Sequence, residues 1–364
     1  MNIAALLGIG TATPRNTISQ QDAALMAAGV CAFTNARKRA LSAVYRRTQV
    51  QSRGSVLLES PNGCSTHQAF FAPATKAGQR GPTTESRLQR YAADAPSLAI
   101  AACVQACERA AVSARSITQL VTVSCTGFMA PGIDIRLIKH LGIDAGVGRT
   151  HIGFMGCHGA LNGLRVAKAL AESSQKERVL LCAVELCSLH FQYGWDDNAL
   201  IANALFADGA AAAVIALREA PAAKTLMLSA SGSSVIPDSE EAMGWRIGDH
   251  GFEMRLAASV PGLIRRHLRS WTEQWLGRQG LQLNGMASWA VHPGGPKILD
   301  SVASALELPD HALAISREVL AQHGNMSSPT VLFILEKLLR QDAPRPIVAM
   351  AFGPGLSIEA CLIH

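Results

Sequence analysis

Two stretches of this 364-residue chain repeat one plan, and the repeat restricts the fold more than any other feature. Cys157 precedes a helix-patterned run, GALNGLRVAKALAES, and an apolar run of strand length starts at Val179, 22 positions after the cysteine. Asn325 precedes a second such run, SSPTVLFILEKLLR, and the strand-length run at Ile347 again starts 22 positions later. Upstream, Cys125 lies 32 positions before Cys157 and His292 lies 33 before Asn325, each closing a strand candidate. Two matching intervals in one order, the first opened in each stretch by a residue that closes a strand candidate, imply an internal duplication. Two similar halves that face each other bring equivalent loops to one place, so Cys125, Cys157, His292 and Asn325 are predicted to converge.

Elsewhere, short apolar runs alternate with helical stretches, which signals an α/β architecture. Strands are predicted over 119–125, 179–185, 210–217, 287–292, 347–352 and 356–363, the Ala-rich 210–217 against alanine's own helix preference. The two halves, 1–220 and 221–364, are expected to join in the stretch EAPAAKT, and 231–255 reads as irregular. Hydrophobic residues make up 49% and charged residues 16%, which suits a thick core or a subunit interface. The net charge is +6, yet the basic residues are scattered rather than massed, so nucleic acid is a poor partner. The densest cluster, Arg37, Lys38, Arg39, Arg46, Arg47 and Arg53, fits a phosphorylated small molecule or the solvated face of a helix.

Nine cysteines, mostly in apolar runs, argue for free thiols and a reducing compartment. Neither a C-x-x-C pair nor a Cys/His cluster at zinc-ligand spacing is present, so no metal is expected. The start, MNIAALLGIGTATP, lacks a basic leader and is cut by Gly8, Gly10 and Pro14, reading as strand and turn rather than signal peptide. No run reaches the ~18 apolar residues of a membrane span. These features predict a cytoplasmic protein without stable membrane insertion.

Cys157 lies in Gly153-Phe154-Met155-Gly156-Cys157-His158-Gly159-Ala160, where glycines permit a tight strand-to-helix turn. Free N–H groups at a helix start favour thiolate, the nucleophilic form, so Cys157 is predicted to be an activated acyl carrier rather than buried filler. His158 projects elsewhere from the same helix start and is left out of the site. His292, in Val291-His292-Pro293-Gly294-Gly295-Pro296, stands where a strand gives way to a loop and can move a proton or donate to an oxyanion. Asn325, in His323-Gly324-Asn325-Met326-Ser327-Ser328-Pro329, is either a helix cap or an amide donor to a developing enolate. Gly353-Pro354-Gly355 makes a sharp turn that brings Phe352 toward the same place.

With Cys157, HPGGP, GNMSS and FGPGL in that order, the chain resembles the type III polyketide synthases, the chalcone synthase-like branch of the thiolase fold. The resemblance runs from Gly8-Ile9-Gly10-Thr11-Ala12-Thr13-Pro14 to Phe352-Gly353-Pro354-Gly355-Leu356. It implies a thiolase-like fold, duplicated α/β halves layered αβαβα, and a homodimer that loads an acyl-CoA starter on Cys157. It implies that His292 and Asn325 decarboxylate malonyl-CoA, that condensation repeats, and that the chain then cyclises. No cofactor is implied, the CoA thioesters being substrates. Phe206 matches the gatekeeping phenylalanine. Cys125 stands where plant members have threonine and looks like the cysteine of many bacterial ones, while His190 and Trp245 fall where smaller cavity residues occur.

Met129 and Ala130, in Phe128-Met129-Ala130-Pro131-Gly132, match the segment that reaches into the partner's cavity. Arg47 matches a basic position that meets CoA phosphate, whereas two further basic positions are alanine here. Phe352, Gly353 and Pro354 shape the pocket. The Cys125-Thr126-Gly127-Phe128 and Gly244-Trp245 pattern is similar to alkylresorcinol and alkylpyrone synthases, which implies a fatty acyl starter. A ketoacyl-ACP synthase or hydroxymethylglutaryl-CoA synthase, and a non-catalytic acyl-CoA-binding relative, are the competing readings.

Overall fold

The duplication read from spacing is the organising feature of the computed structural model, which describes residues 3–32, 34–60, 67–76, 78–218 and 225–364. The first half contains β1 (Ile3–Ala12), β2 (Thr17–Ser19), α1 (Gln20–Cys31), α2 (Asn35–Arg47), β3 (Ser52–Gly54), α3 (Thr84–Ala110) and β4 (Gln119–Ser124). It continues with α4 (Ile133–Leu141), β5 (Gly148–Gly153), α5 (Gly159–Ser173), β6 (Arg178–Leu186), α6 (Asp197–Leu205) and β7 (Asp208–Arg218). The second half begins with β8 (Leu226–Val235), β9 (Met243–Gly248), β10 (Gly251–Leu256), α7 (Val260–Gly277) and β11 (Ser288–Val291). It ends with α8 (Pro296–Leu306), α9 (Ala314–His323), α10 (Thr330–Arg340), β12 (Ile347–Gly353) and β13 (Ser357–Ile363).

Each half builds the same sheet. In the first, β1 pairs antiparallel with β7, β7 antiparallel with β6, and β6 parallel with β4. In the second, β8 pairs antiparallel with β13, β13 antiparallel with β12, and β12 parallel with β11. Only β5, parallel to the edge of β4, lacks a counterpart. The sheets touch through two residue pairs, Ala5 with Met227 and Leu6 with Leu226.

Three packing groups define the layers. Residues of α5 and α10 share one core with the inner faces of both sheets, among them Leu161, Leu164, Val331 and Ile334. The outer face of the first sheet packs on α3 and α4, and that of the second on α7 and α8. The result is the expected αβαβα order, with α5 and α10 in the middle and α3, α4, α7 and α8 outside.

All six predicted strands are present. The Ala-rich one becomes β7 because it is covered on both faces, where α3 and α5 leave room only for small side chains; Ala210, Ala211, Ala212 and Ala213 are fully buried. Burial here overrides helix propensity. The stretch 231–255 is not irregular: it is the end of β8 and the antiparallel hairpin β9–β10. The predicted junction at 220 and 221 lies outside the described residues. Among the described residues, no helix is long and apolar enough to cross a membrane.

Candidate active site

Equivalent strand ends and helix starts of the two halves deliver the chemistry. Cys157 sits in a single 3-10 turn, Gly156–His158, that runs into α5. Gly156 has φ +69°, and a Cβ there would stand 2.5 Å from Pro354 Cδ, so only glycine fits before Cys157. His292 follows β11, its N–H donating to Met350 O at 2.8 Å. Asn325 precedes α10 and is bonded across to the other half: its N–H donates to Leu205 O and its carbonyl accepts from Ala207 N. Its Oδ1 accepts from Ser327 N at 2.8 Å, which orients the amide. Helix capping is therefore not its main role, since α10 starts only at Thr330.

Cys157, His292, Asn325 and Phe352 line one small buried cavity of ≈ 20 Å³ with Met243 and Met254. Both ring nitrogens of His292 are buried without a hydrogen-bond partner, a costly arrangement unless a substrate supplies one. Burial, helped by nearby His158, pushes the His292 pKa down to about 3. The expectation of a thiolate at Cys157 is corrected. Burial pushes its thiol up to about 11, against the hydrogen bonds of Ser327 and Asn325, and the charge of Glu185 pushes the same way as burial. Loss of solvent outweighs the helix start. Burial thus favours the uncharged form of each, the Cys157 thiol and the His292 imidazole.

Glu185 is the functional neighbour that sequence reasoning missed. Its fully buried carboxylate accepts from the N–H groups of Cys125 and Thr126, from Thr126 Oγ1 at 2.7 Å and from Ser328 Oγ at 2.6 Å. Burial raises its pKa. It thus ties the ends of β4 and β6 to the loop that carries Asn325. No spacing rule marks a lone Glu inside the apolar run VLLCAVEL, although a charge in such a run is itself unusual.

Cys125 converges on the site as predicted, yet lines neither this cavity nor the larger one described next. It is buried behind Ser327, Sγ to Oγ 3.3 Å, because its strand end points under the Asn325 loop. His158 points away as expected, bonded to Asn162 Oδ1 at 2.6 Å and Ser357 Oγ at 2.7 Å. Gly353 lies against that ring, and Pro354 against Gly156, so both act from behind Cys157 rather than on the cavity wall.

A second cavity of ≈ 110 Å³ adjoins the first, with Met254 lining both and Cys157, Cys187 and Phe206 packed together between them. Phe206, His190 and Trp245 line it, with ring centroids of Phe206 and His190 about 6 Å from that of Trp245. His190 cannot serve as a base. Its Nε2 donates to Thr126 O at 2.6 Å, its Nδ1 accepts from Phe252 N–H at 3.0 Å, and its ring stacks on Phe252 at 4.1 Å. Met129 packs on the outer core of the first half, Ala130 belongs to the following exposed turn, and Arg47 is exposed at the end of α2; none lines either cavity of this chain.

The polar side chains of the second cavity are already engaged. Ser55 donates to Ser188, Ser188 to Asp208, and Asn203 to Gln192 O, while the Gln192 amide bonds the carbonyls of His190, His250 and Phe252. Arg53 donates through Nη1 to Asn203 O and Phe206 O, and the rest of the lining is mainly apolar, from Ile18, Ala23, Met26, Ala27, Leu58 and Phe71 beside Trp245.

The family model for the N-terminal domain of chalcone and stilbene synthases matches residues 2–218, and that for the C-terminal domain matches 227–364. The alpha-pyrone synthesis polyketide synthase-like Pks18 of Mycobacterium tuberculosis is 30% identical over 99% of this chain and 91% of its own. The bisdemethoxycurcumin synthase of Oryza sativa subsp. japonica is 34% identical over 100% of this chain and 92% of its own. Among solved structures, PKS-I from the brown alga Ectocarpus siliculosus superposes with a TM-score of 0.93 at 29% identity, over 100% of this chain and 98% of that one. With both family models matched and such coverage on either side, the chain belongs to the chalcone and stilbene synthase family, the type III polyketide synthases.

Proposed function

We propose that the protein condenses malonyl-CoA repeatedly onto a fatty acyl starter and closes the product to an alkylpyrone or alkylresorcinol. The single observation that carries this reading is the partnerless His292 ring facing Cys157 and Asn325 in one buried pocket that adjoins an apolar cavity. Cys157 Sγ attacks the starter thioester carbonyl, its proton passes to His292, and the CoA thiol leaves with that proton. Malonyl-CoA then loses CO2, and the electron pair of the broken C–C bond moves into an enolate. The enolate oxygen is held by the His292 N–H and the Asn325 amide. Its carbon attacks the Cys157 thioester carbonyl, breaking the C–S bond and expelling Cys157 as a thiolate that takes up a proton from solvent, and releasing a chain two carbons longer as its CoA thioester, ready for reloading.

The mainly apolar lining of the second cavity favours an alkyl over a hydroxyaryl starter. The Pks18 likeness agrees with pyrone closure. The reading includes a homodimer, supported by exposed Phe128, Phe154 and Met155 beside the segment holding Met129 and Ala130, and CoA phosphates meeting Arg47. A cytoplasmic setting is supported by the free, buried state of all eight cysteines among the described residues. Incubation with labelled malonyl-CoA and acyl-CoA starters from acetyl to palmitoyl, with products read by mass spectrometry, tests it. Long-chain alkylpyrones or alkylresorcinols are expected; folded protein that incorporates no label sinks the assignment.

A further inference from the structure

The two ends of the apolar cavity belong to different packing groups. At the catalytic end stand Met254, Phe206 and Cys187, the last two packed with Cys157 itself. At the far end the wall is α1, through Ala23, Met26, Ala27 and Val30, and this helix belongs to a separate core shared with α2 and α6. A linear chain attached to Cys157 Sγ that passes Met254 therefore runs toward α1.

Helix α1 has no room to recede. Leu41 and Tyr45 of α2 and Ala204 of α6 lie in the same core, each at most 1% exposed. Its first residue, Gln20, is fastened through Nε2 to Thr48 Oγ1 at 2.8 Å and Ala204 O at 2.7 Å. A side chain added on the cavity face of α1 has nowhere to go except into the cavity.

We propose that α1 is the length gauge for the acyl starter and that Ala27, 1% exposed on the cavity wall, is the position the chain end meets. This rests on the fatty acyl reading above. Ala27 touches no reacting atom; it sets specificity by the space it leaves. Met26, beside it, is a flexible side chain whose removal lengthens the same space.

The test compares the purified wild type, Ala27→Phe and Met26→Ala on acyl-CoA starters from acetyl to palmitoyl with labelled malonyl-CoA. Ala27→Phe is expected to lower kcat/KM for the longest accepted starters by about tenfold or more, equivalent to roughly 1.4 kcal/mol, while acetyl-CoA turnover stays within about twofold. Met26→Ala is expected to move the preference toward longer starters. A wild type that extends long starters, with variants of unchanged chain-length profile, overturns the gauge. A wild type that extends only short starters sinks the fatty acyl reading, and the gauge with it. Should Ala27→Phe fail to fold, Met26→Ala decides alone, an unchanged profile counting against the proposal.

Discussion

The two halves place different chemistry at the same address. Cys125 directly follows β4 and His292 directly follows β11; Cys157 sits in the turn that leads into α5, and Asn325 precedes α10. In the first half the strand-end residue is a thiol bonded to Ser327 and the helix-start residue is a second thiol, Cys157, on the cavity wall. In the second, the strand end offers an imidazole with both nitrogens free and the helix start an oriented amide. One scaffold thus brings a thiol from one copy against an imidazole and an amide from the other. The difference teaches that duplication fixes where side chains meet, while the residue at each address fixes what they do.

The comparison breaks most sharply at Cys157. Cys157→Ala is expected to lower polyketide formation by roughly a thousandfold or more, with no acyl adduct in mass spectrometry of protein treated with acyl-CoA. Turnover near wild type would show that the first half carries no covalent step. Asn325→Ala should separate the halves: the Cys157 adduct still forms, while malonyl-CoA decarboxylation falls by about 10²–10³-fold. Equal loss of acylation and decarboxylation, measured as adduct yield and CO2 release, would mean the roles are shared.

The addresses were legible because they follow from counting. Matching intervals of 22 and 32 or 33 positions predicted that four distant residues converge, and they do. What counting misses is contact between residues without a shared period. Glu185 meets Ser328 across 143 positions, and nothing in either segment marks the pairing. The β9–β10 hairpin was hidden because Gly244-Trp245-Arg246 and Gly248-Asp249-His250-Gly251 lack the alternation of a half-buried strand. Protonation was hidden too, because burial is a property of the assembled halves: the helix start at Cys157 is visible in sequence, the loss of solvent that overrides it is not.

That override has a measurable sign. With Cys157 held near 11 and His292 near 3, the thiolate fraction at neutral pH is small and rises about tenfold per unit as pH increases toward 11. Inactivation by iodoacetamide should climb through pH 7 to 9 without levelling. A plateau below pH 8 would instead reveal a thiolate–imidazolium pair, erasing the contrast between a resting nucleophile and a resting base.

The smallest effect is expected where the halves are equivalent in position and unequal in chemistry. Cys125 occupies the His292 address, yet its N–H donates to both oxygens of Glu185, and its sulfur meets Ser327 Oγ and the same carboxylate. Cys125→Ser keeps the backbone bonds and offers a hydroxyl to the same partners. The barrier should change by less than about 1 kcal/mol, a factor of roughly five at most in kcat. Steady-state kinetics on one starter checks this. A loss comparable to that of Asn325→Ala would place the Cys125 thiol on the reacting atoms and make the strand ends chemical equals; near-normal turnover leaves Cys125 as a structural anchor, with the strand-end chemistry confined to His292.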